Sequence, residues 1–376
     1  MKRKNPQKLI IVVSLVAALA IVVPMMSSCL GKPAAAPPEA PAPAEPAAPA
    51  PAAPAEAVEP IKWRFQSYAD ASLTDVIFTP YIRNLEEASG GQIEVEIYLG
   101  DELVPISEEA IALQEGTLDI VCVSDDWGGF PADVAVFSDY FPFGVQTGIE
   151  LDTLFKERGL DEIWAEAYDE VPGITWLGSG SWDPCNIISN RPVESYEDMR
   201  GLRLHTFELA AELLEPAGVI GQTLPWEDVA MAIETGMLDG LAWCGITEGH
   251  TVGWVDVCDY FLAQPISGGW MGAWFVSTES WEALPPHLQQ LWRMSIDQMN
   301  YRRTVWYYWG EAYQSAHGDF IITTMPDEDW ARVMAGKEPL YDRVAALSPR
   351  CARVVQIIRE HQADSTAAGA PYPSYE

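Results

Sequence analysis

The chain has 376 residues, 48% of them hydrophobic and 11% aromatic, which suits roughly two or three ordinary domains with a real core. Its 22 lysines and arginines against 55 aspartates and glutamates leave a net charge of -33, which excludes nucleic acid as a main partner by repulsion of the phosphate backbone. Six cysteines without a CxxC pair exclude a disulfide scaffold and offer no zinc or thiol-redox spacing.

At the N-terminus, Lys2, Arg3, Lys4 and Lys8 precede an apolar run from Leu9 to Val23, then Pro24 and Met26-Ser27-Ser28-Cys29. A charged head, an apolar run shorter than the ~20 residues of a membrane span and small residues before a cleavage point make residues 1–28 an export signal. The tetrad resembles the bacterial lipobox, with Met26 where leucine is usual, and points to Cys29 as the lipid attachment site. Between Pro33 and Pro60, 10 of 28 residues are proline and most of the rest alanine. Such a segment buries nothing and is read as an extended tether, so residues 29–60 form a lipid-anchored linker. The globular body, from Ile61 on, is thereby placed outside the cytoplasm and near a membrane.

Ile61 to Phe65 alternates as a strand, Ser72 to Ser89 reads as a helix stopped by Gly90-Gly91, and Ile93 to Tyr98 alternates again. This is a β-α-β unit. A helix from Ser107 to Glu115, Gly116 and an apolar strand from Leu118 to Val123 follow. Residues Ala110 to Asp119 are then echoed 120 positions on by Ala230 to Asp239, each copy a short helix, a glycine free to take positive φ and a strand. Two similar α/β lobes are the economical reading. From Pro286 to about His317 only Gly310 interrupts a helical pattern, and a helix of that length, ~45 Å, is long enough to span both lobes. Helical patterns continue from Asp327 to Gln362.

With these elements in place, the sequence resembles the extracytoplasmic solute-binding subunits of tripartite ATP-independent periplasmic (TRAP) transporters, of the DctP type. The resemblance runs from about Trp63 to Gln362. It is carried by Ser189 to Leu204, Trp226 to Asp239, Trp281-Glu282-Ala283-Leu284-Pro285, Gly90-Gly91-Gln92-Ile93 and Glu115-Gly116-Thr117-Leu118-Asp119. It implies an α/β, two-lobed periplasmic-binding-protein fold with hinge strands and a long C-terminal helix across both lobes. Lobe I is expected over 61–182 plus about 271–310, lobe II over 183–270 plus about 311–362, and a tail over 363–376. The implied function is capture of a small organic acid or aromatic solute between the lobes and its delivery to a TRAP permease, with closure driven by the ligand's greater affinity for the closed state.

The resemblance also places the pocket. Where the family's strand ends in an arginine that forks a carboxylate, this chain has His205, and Arg203 two residues earlier is a candidate substitute on the same strand face. Cys185 stands where another polar ligand-facing residue is common. Ala242-Trp243-Cys244-Gly245 keeps the tryptophan and glycine of a metal-binding Glu-Trp-x-Gly motif but loses its carboxylate, so neither metal nor cofactor is expected. Trp226, Trp243 and Trp270 are the aromatic candidates, joined by Trp127 at the C-terminal end of a first-lobe strand, where open α/β sheets bind ligands.

No catalytic motif is present, whether GxSxG, HExxH, P-loop or GxGxxG, and no catalytic residue is assigned. A tryptophan-lined carbohydrate-binding lipoprotein or glycosidase is the alternative. Cys244 and Cys258 are a candidate disulfide pair outside the cytoplasm.

Overall fold

The structure is a computed structural model that describes residues 59–369. The export signal, Cys29 and nearly all of the tether therefore lie outside the described residues. Eleven strands alternate with helices in two sheets. In chain order they are β1 (Ile61–Ser67), β2 (Ile93–Tyr98), β3 (Ile120–Val123), β4 (Ile174–Ser181), β5 (Ile187–Ser189) and β6 (Arg203–His205). There follow β7 (Ile220–Gln222), β8 (Gly240–Ala242), β9 (Tyr260–Leu262), β10 (Met271–Ser277) and β11 (Ile321–Thr323).

The first sheet has the order β2-β1-β3-β10-β4. Trp63 and Phe65 point inward on alternate positions of β1, and β1 pairs in parallel with β2 from Ile61↔Ile93 to Gln66↔Tyr98, as a β-α-β unit requires. Its crossover helix starts at Asp70, whose carboxylate accepts from the Leu73 N–H at 3.0 Å. A π-helical turn over Thr74–Phe78 interrupts it, and Gly90 and Gly91 at φ 66° and 78° end it. The second sheet has the order β11-β9-β5-β8-β6-β7. The echo seen in the sequence is structural. Gly116 and Gly236 take φ 70° and 72°, and each is followed by an aspartate that receives the arginine of a neighbouring strand, Arg64 to Asp119 and Arg203 to Asp239.

The chain crosses between the sheets after β4 and returns before β10. These two segments are bonded to each other, Trp182 N–H to the Trp270 carbonyl at 3.0 Å and Cys185 N–H to that of Ser267 at 2.8 Å. They form the hinge. The helix Pro286–His317 runs past both sheets. Its Asn300 amide donates to the Ser179 carbonyl in β4 at 2.8 Å, while its Tyr307 hydroxyl donates to Glu248 beyond β8 at 2.8 Å.

Residues 311–362 are expected with the second lobe; within them the last helix, Pro349–Ala367, packs on the helix Lys337–Ala345 and on helices that follow β3. Arg350 holds Asp133 at 3.0 Å and Glu166 at 3.2 Å, and Gln362 donates to the Phe143 carbonyl at 2.7 Å. Cations of an acidic chain gather where acidic helices face them. The helix also runs five residues into the stretch expected as a tail, to Ala367. Among the described residues no helix is long and apolar enough to cross a membrane.

Candidate ligand-binding site

The C-terminal ends of the parallel strands converge on the hinge, and aromatic side chains follow them there. Tyr68 comes after β1, Trp127 after β3, and Trp243 after β8, while His205 closes β6. Trp127 stacks on Trp243 across the two sheets at 5.1 Å between ring centres, and Trp243 stacks on His205 at 4.7 Å. Behind Trp127, the hinge residues Trp270 and Trp182 lie at 5.3 Å from Trp127 and 4.6 Å from each other, respectively, with Tyr68 4.8 Å from Trp182. The result is a continuous aromatic wall from one sheet to the other.

Carboxylates are set into this wall. Asp183, fully buried between Trp182 and Pro184, accepts from Trp270 Nε1 at 2.9 Å, Tyr140 Oη at 3.1 Å and the Gly245 N–H at 2.9 Å. Glu248, on the helix Ile246–Thr251, is also buried and accepts from Tyr307. Burial pushes both carboxyls up, with the charge of Glu248 adding to the rise of Asp183 and those of Asp70 and Glu311 to that of Glu248, which reaches about 7. Glu311 of the long helix accepts from the N–H groups of Ile246 and Thr247 at 3.2 and 2.9 Å. Arg303 lies 3.2 Å over the ring centre of Trp182 and donates to Asn300.

The seven residues expected in the pocket do not all meet. Trp127, Trp243, Trp270 and His205 share the aromatic wall, and Trp226 stands at its margin, 37% exposed and 5.9 Å from Trp243. His205 Nδ1 accepts from the Leu224 N–H at 3.2 Å, which leaves the proton on Nε2, and burial lowers its pKa to about 4. The ring is neutral, so it offers a donor and no charge. Cys185 is buried in the hinge with its thiol pushed up by burial. Arg203 meets an acid of its own lobe. Its Nη2 and Nε bond Asp239 at 2.7 and 3.0 Å and its Nη1 the Gly236 carbonyl at 2.7 Å, so three of its five donors are engaged within its own lobe. Cys244 and Cys258 do not pair either: the five described cysteines all carry free, buried thiols.

Sequence reasoning missed Asp183, Glu248, Tyr68 and Tyr140. An acid wedged between tryptophan and proline in Trp182-Asp183-Pro184 was the available signal, since such a position is apolar on both sides. Glu248 supplies a carboxylate six positions after the one lost at Ala242, on a helix rather than a strand end, where motif spacing does not reach it.

Two α/β sheets joined by bonded crossover segments, with an aromatic cleft at the crossing, define a two-lobed solute-binding protein. The model of the bacterial extracellular solute-binding protein family 7, DctP, matches residues 77–346, and the chain belongs to that family. A TRAP periplasmic solute-binding protein of Chromohalobacter salexigens, solved with bound (S)-(+)-2-amino-1-propanol, is 42% identical. It superposes with a TM-score of 0.78 over 82% of this chain and 97% of that one. The ectoine-binding periplasmic protein TeaA of Halomonas elongata is 24% identical over 73% of this chain and 81% of its own length. The monocarboxylate 2-oxoacid-binding periplasmic protein of a Nostoc species is 22% identical over 64% of this chain and 66% of its own. This chain is thus an extracytoplasmic solute-binding receptor of the TRAP type, and the family is one of receptors rather than enzymes. The carbohydrate or glycosidase alternative finds no support in these likenesses.

Proposed function

We propose that the receptor closes its two lobes on one small polar solute at the wall formed by Trp127, Trp182, Trp243 and Trp270, and passes it to a TRAP permease. The stacking of Trp127 on Trp243 carries this reading, because it brings a side chain from each sheet together where the chain crosses between them. The lobes are taken as 61–182 with about 271–310, and 183–270 with the segment that follows 311 up to the last helix. Similar proteins hold solutes of different charge, one an amino alcohol and another named for 2-oxoacids, so the fold admits both and the pocket decides. Acylation of Cys29 and an extended tether would keep the body beside the permease.

Small-angle scattering on the full chain, with and without a solute found by thermal-shift screening, tests the reading. A smaller radius of gyration at saturation is expected, and an unchanged radius would overturn it. Mass spectrometry of membrane-extracted protein is expected to show a diacylglycerol-bearing N-terminus at Cys29.

A further inference from the structure

Buried carboxylates are tolerated when a cation or several donors neutralise them. The acidic oxygens of Asp183 and Glu248 lie within 4.8 Å of one another, together with the Cys244 sulfur. Among the described residues neither is in an ion pair with lysine or arginine; their partners are the neutral donors Tyr140, Trp270, Tyr307 and the Gly245 N–H. Arg303, the nearby cation, is packed against Gly180 and Asn300 with the Trp182 indole over its face.

Where an anion would settle, at the N–H groups that open the helix Ile246–Thr251, the protein has already placed Asp183 and Glu311. Independently, the Tyr68 hydroxyl is buried without a partner, in the field of Glu248, Arg303 and Asp183. Thr247, only 4% exposed and next to Glu248 in the chain, also has its hydroxyl unpartnered. The rings of Trp182 and Trp270 stand at steep angles to Tyr68, 4.8 and 5.3 Å between centres. Two carboxylates without an ion-pair partner and a free hydroxyl together suit a cation that also bears a hydroxyl.

We infer that the receptor's ligand is a small alkylammonium cation of the amino-alcohol class, its nitrogen held between Asp183 and Glu248 and its hydroxyl met by Tyr68. This rests on the receptor reading above. Burial pushes both carboxyls up, the charge of Glu248 adding to the rise of Asp183 and the charges of Asp70 and Glu311 to that of Glu248, against the opposing pull of Arg303, so the pair retains a proton. The other groups facing it are Glu311, Asp70, Arg303, Cys244, Tyr68, Tyr140 and Tyr307. Burial keeps the thiol and the three phenols neutral. An entering ammonium favours the charged form of both acids, so the proton leaves to solvent as the ligand binds. Affinity then rises with pH from about 5 to 8.

Calorimetric titration of the full chain with 2-amino-1-propanol, and separately with pyruvate, in buffers of unequal ionisation heat near pH 6.5, tests this. The amine is expected to bind and to release up to about one proton per site. Asp183→Asn is expected to weaken it about 100-fold, and Glu248→Gln to weaken it at least about tenfold and abolish proton release. Gln at 248 still accepts from Tyr307, so this variant decides if Asp183→Asn does not fold. Equal affinity in wild type and Glu248→Gln without proton release overturns the inference. Binding of pyruvate but not the amine overturns it too, while leaving the receptor reading standing. If no small solute in a broad screen shifts the melting temperature, the receptor reading itself falls.

Discussion

Arg203 grips Asp239 as Arg64 grips Asp119. In each pair the arginine Nε meets the aspartate Oδ2 at 3.0 Å, and the arginine's own backbone N–H reaches the same oxygen, at 2.9 and 2.8 Å. A second guanidinium nitrogen meets the carbonyl of the preceding positive-φ glycine at 2.7 Å in both. The two lobes thus repeat one device that staples a strand to the helix-Gly turn before the next strand, and the arginine expected to read a ligand belongs to it.

Arg203→Ala is therefore expected to lower stability and leave ligand affinity within about twofold. Both arginine side chains are more than a third exposed, so solvent screening keeps the loss small for either Arg203→Ala or Arg64→Ala. Urea denaturation measures it, and calorimetry on the folded variants checks the affinity. A collapse of binding in Arg203→Ala alone would return the residue to the pocket.

Ligand-free stability is expected to fall as pH rises. Burial raises Asp125 to about 7, although Trp164 Nε1 and Tyr168 Oη bond it at 3.1 and 2.6 Å, and raises Glu248 to about 7. Folded values above unfolded ones of about 4 mean stability that is fully present below about pH 4 and lost as pH climbs through about 7. His205 works the other way, its folded value of about 4 giving stability above the ordinary 6.5 that is lost on acidification. Two carboxyls outweigh one imidazole, so the melting temperature should decline between about pH 5 and 8. Asp125→Asn should flatten the decline; an unchanged slope would show that Asp125 is ionised throughout.

Trp243→Ala is expected to weaken ligand binding by roughly 1–3 kcal/mol, because its indole touches Trp127 of the other lobe and His205 of its own. Titration calorimetry gives the loss, and scattering should show a larger radius of gyration at the same ligand concentration. Trp226→Ala, at the exposed margin, should cost less.

Gly272→Ala is expected to be poorly tolerated. A Cβ there would stand 2.0 Å from Trp182 Nε1 and 2.1 Å from Cε2, and the indole cannot retreat because Arg303 lies on its face. Overpacking of this kind costs about 1–3 kcal/mol or more. A thermal melt measures the cost, and a shift of less than a degree or two would show that the hinge has slack.

The regular elements were legible because their patterns are local. Ile93 to Tyr98 alternates and pairs over that span, and the glycine-poor run after Pro285 is one helix of 32 residues. The contacts of the last helix were not legible, because what seats it is not periodicity but Arg350 meeting Asp133 across 217 positions. In the cleft, tryptophans could be picked by their place after strands, whereas Asp183 and Glu248 come from a crossover and a six-residue helix that meet only in three dimensions. Arg203 shows the converse, a charged side chain picked out by its strand position whose partner, Asp239, lay on a turn the strand pattern did not include.

The three N–H groups of Gly245, Ile246 and Thr247 are divided between Asp183 of the crossover and Glu311 of the long helix. Gly310 deepens the joint, since a Cβ there would lie 2.5 Å from Thr247. Crossover, short helix and long helix are in this way welded into a single corner, and no lever arm can be drawn through it. Any swing of one lobe away from the other must pivot outside that corner and peel apart the indoles of Trp127 and Trp243, which makes their fluorescence the natural gauge of the gate.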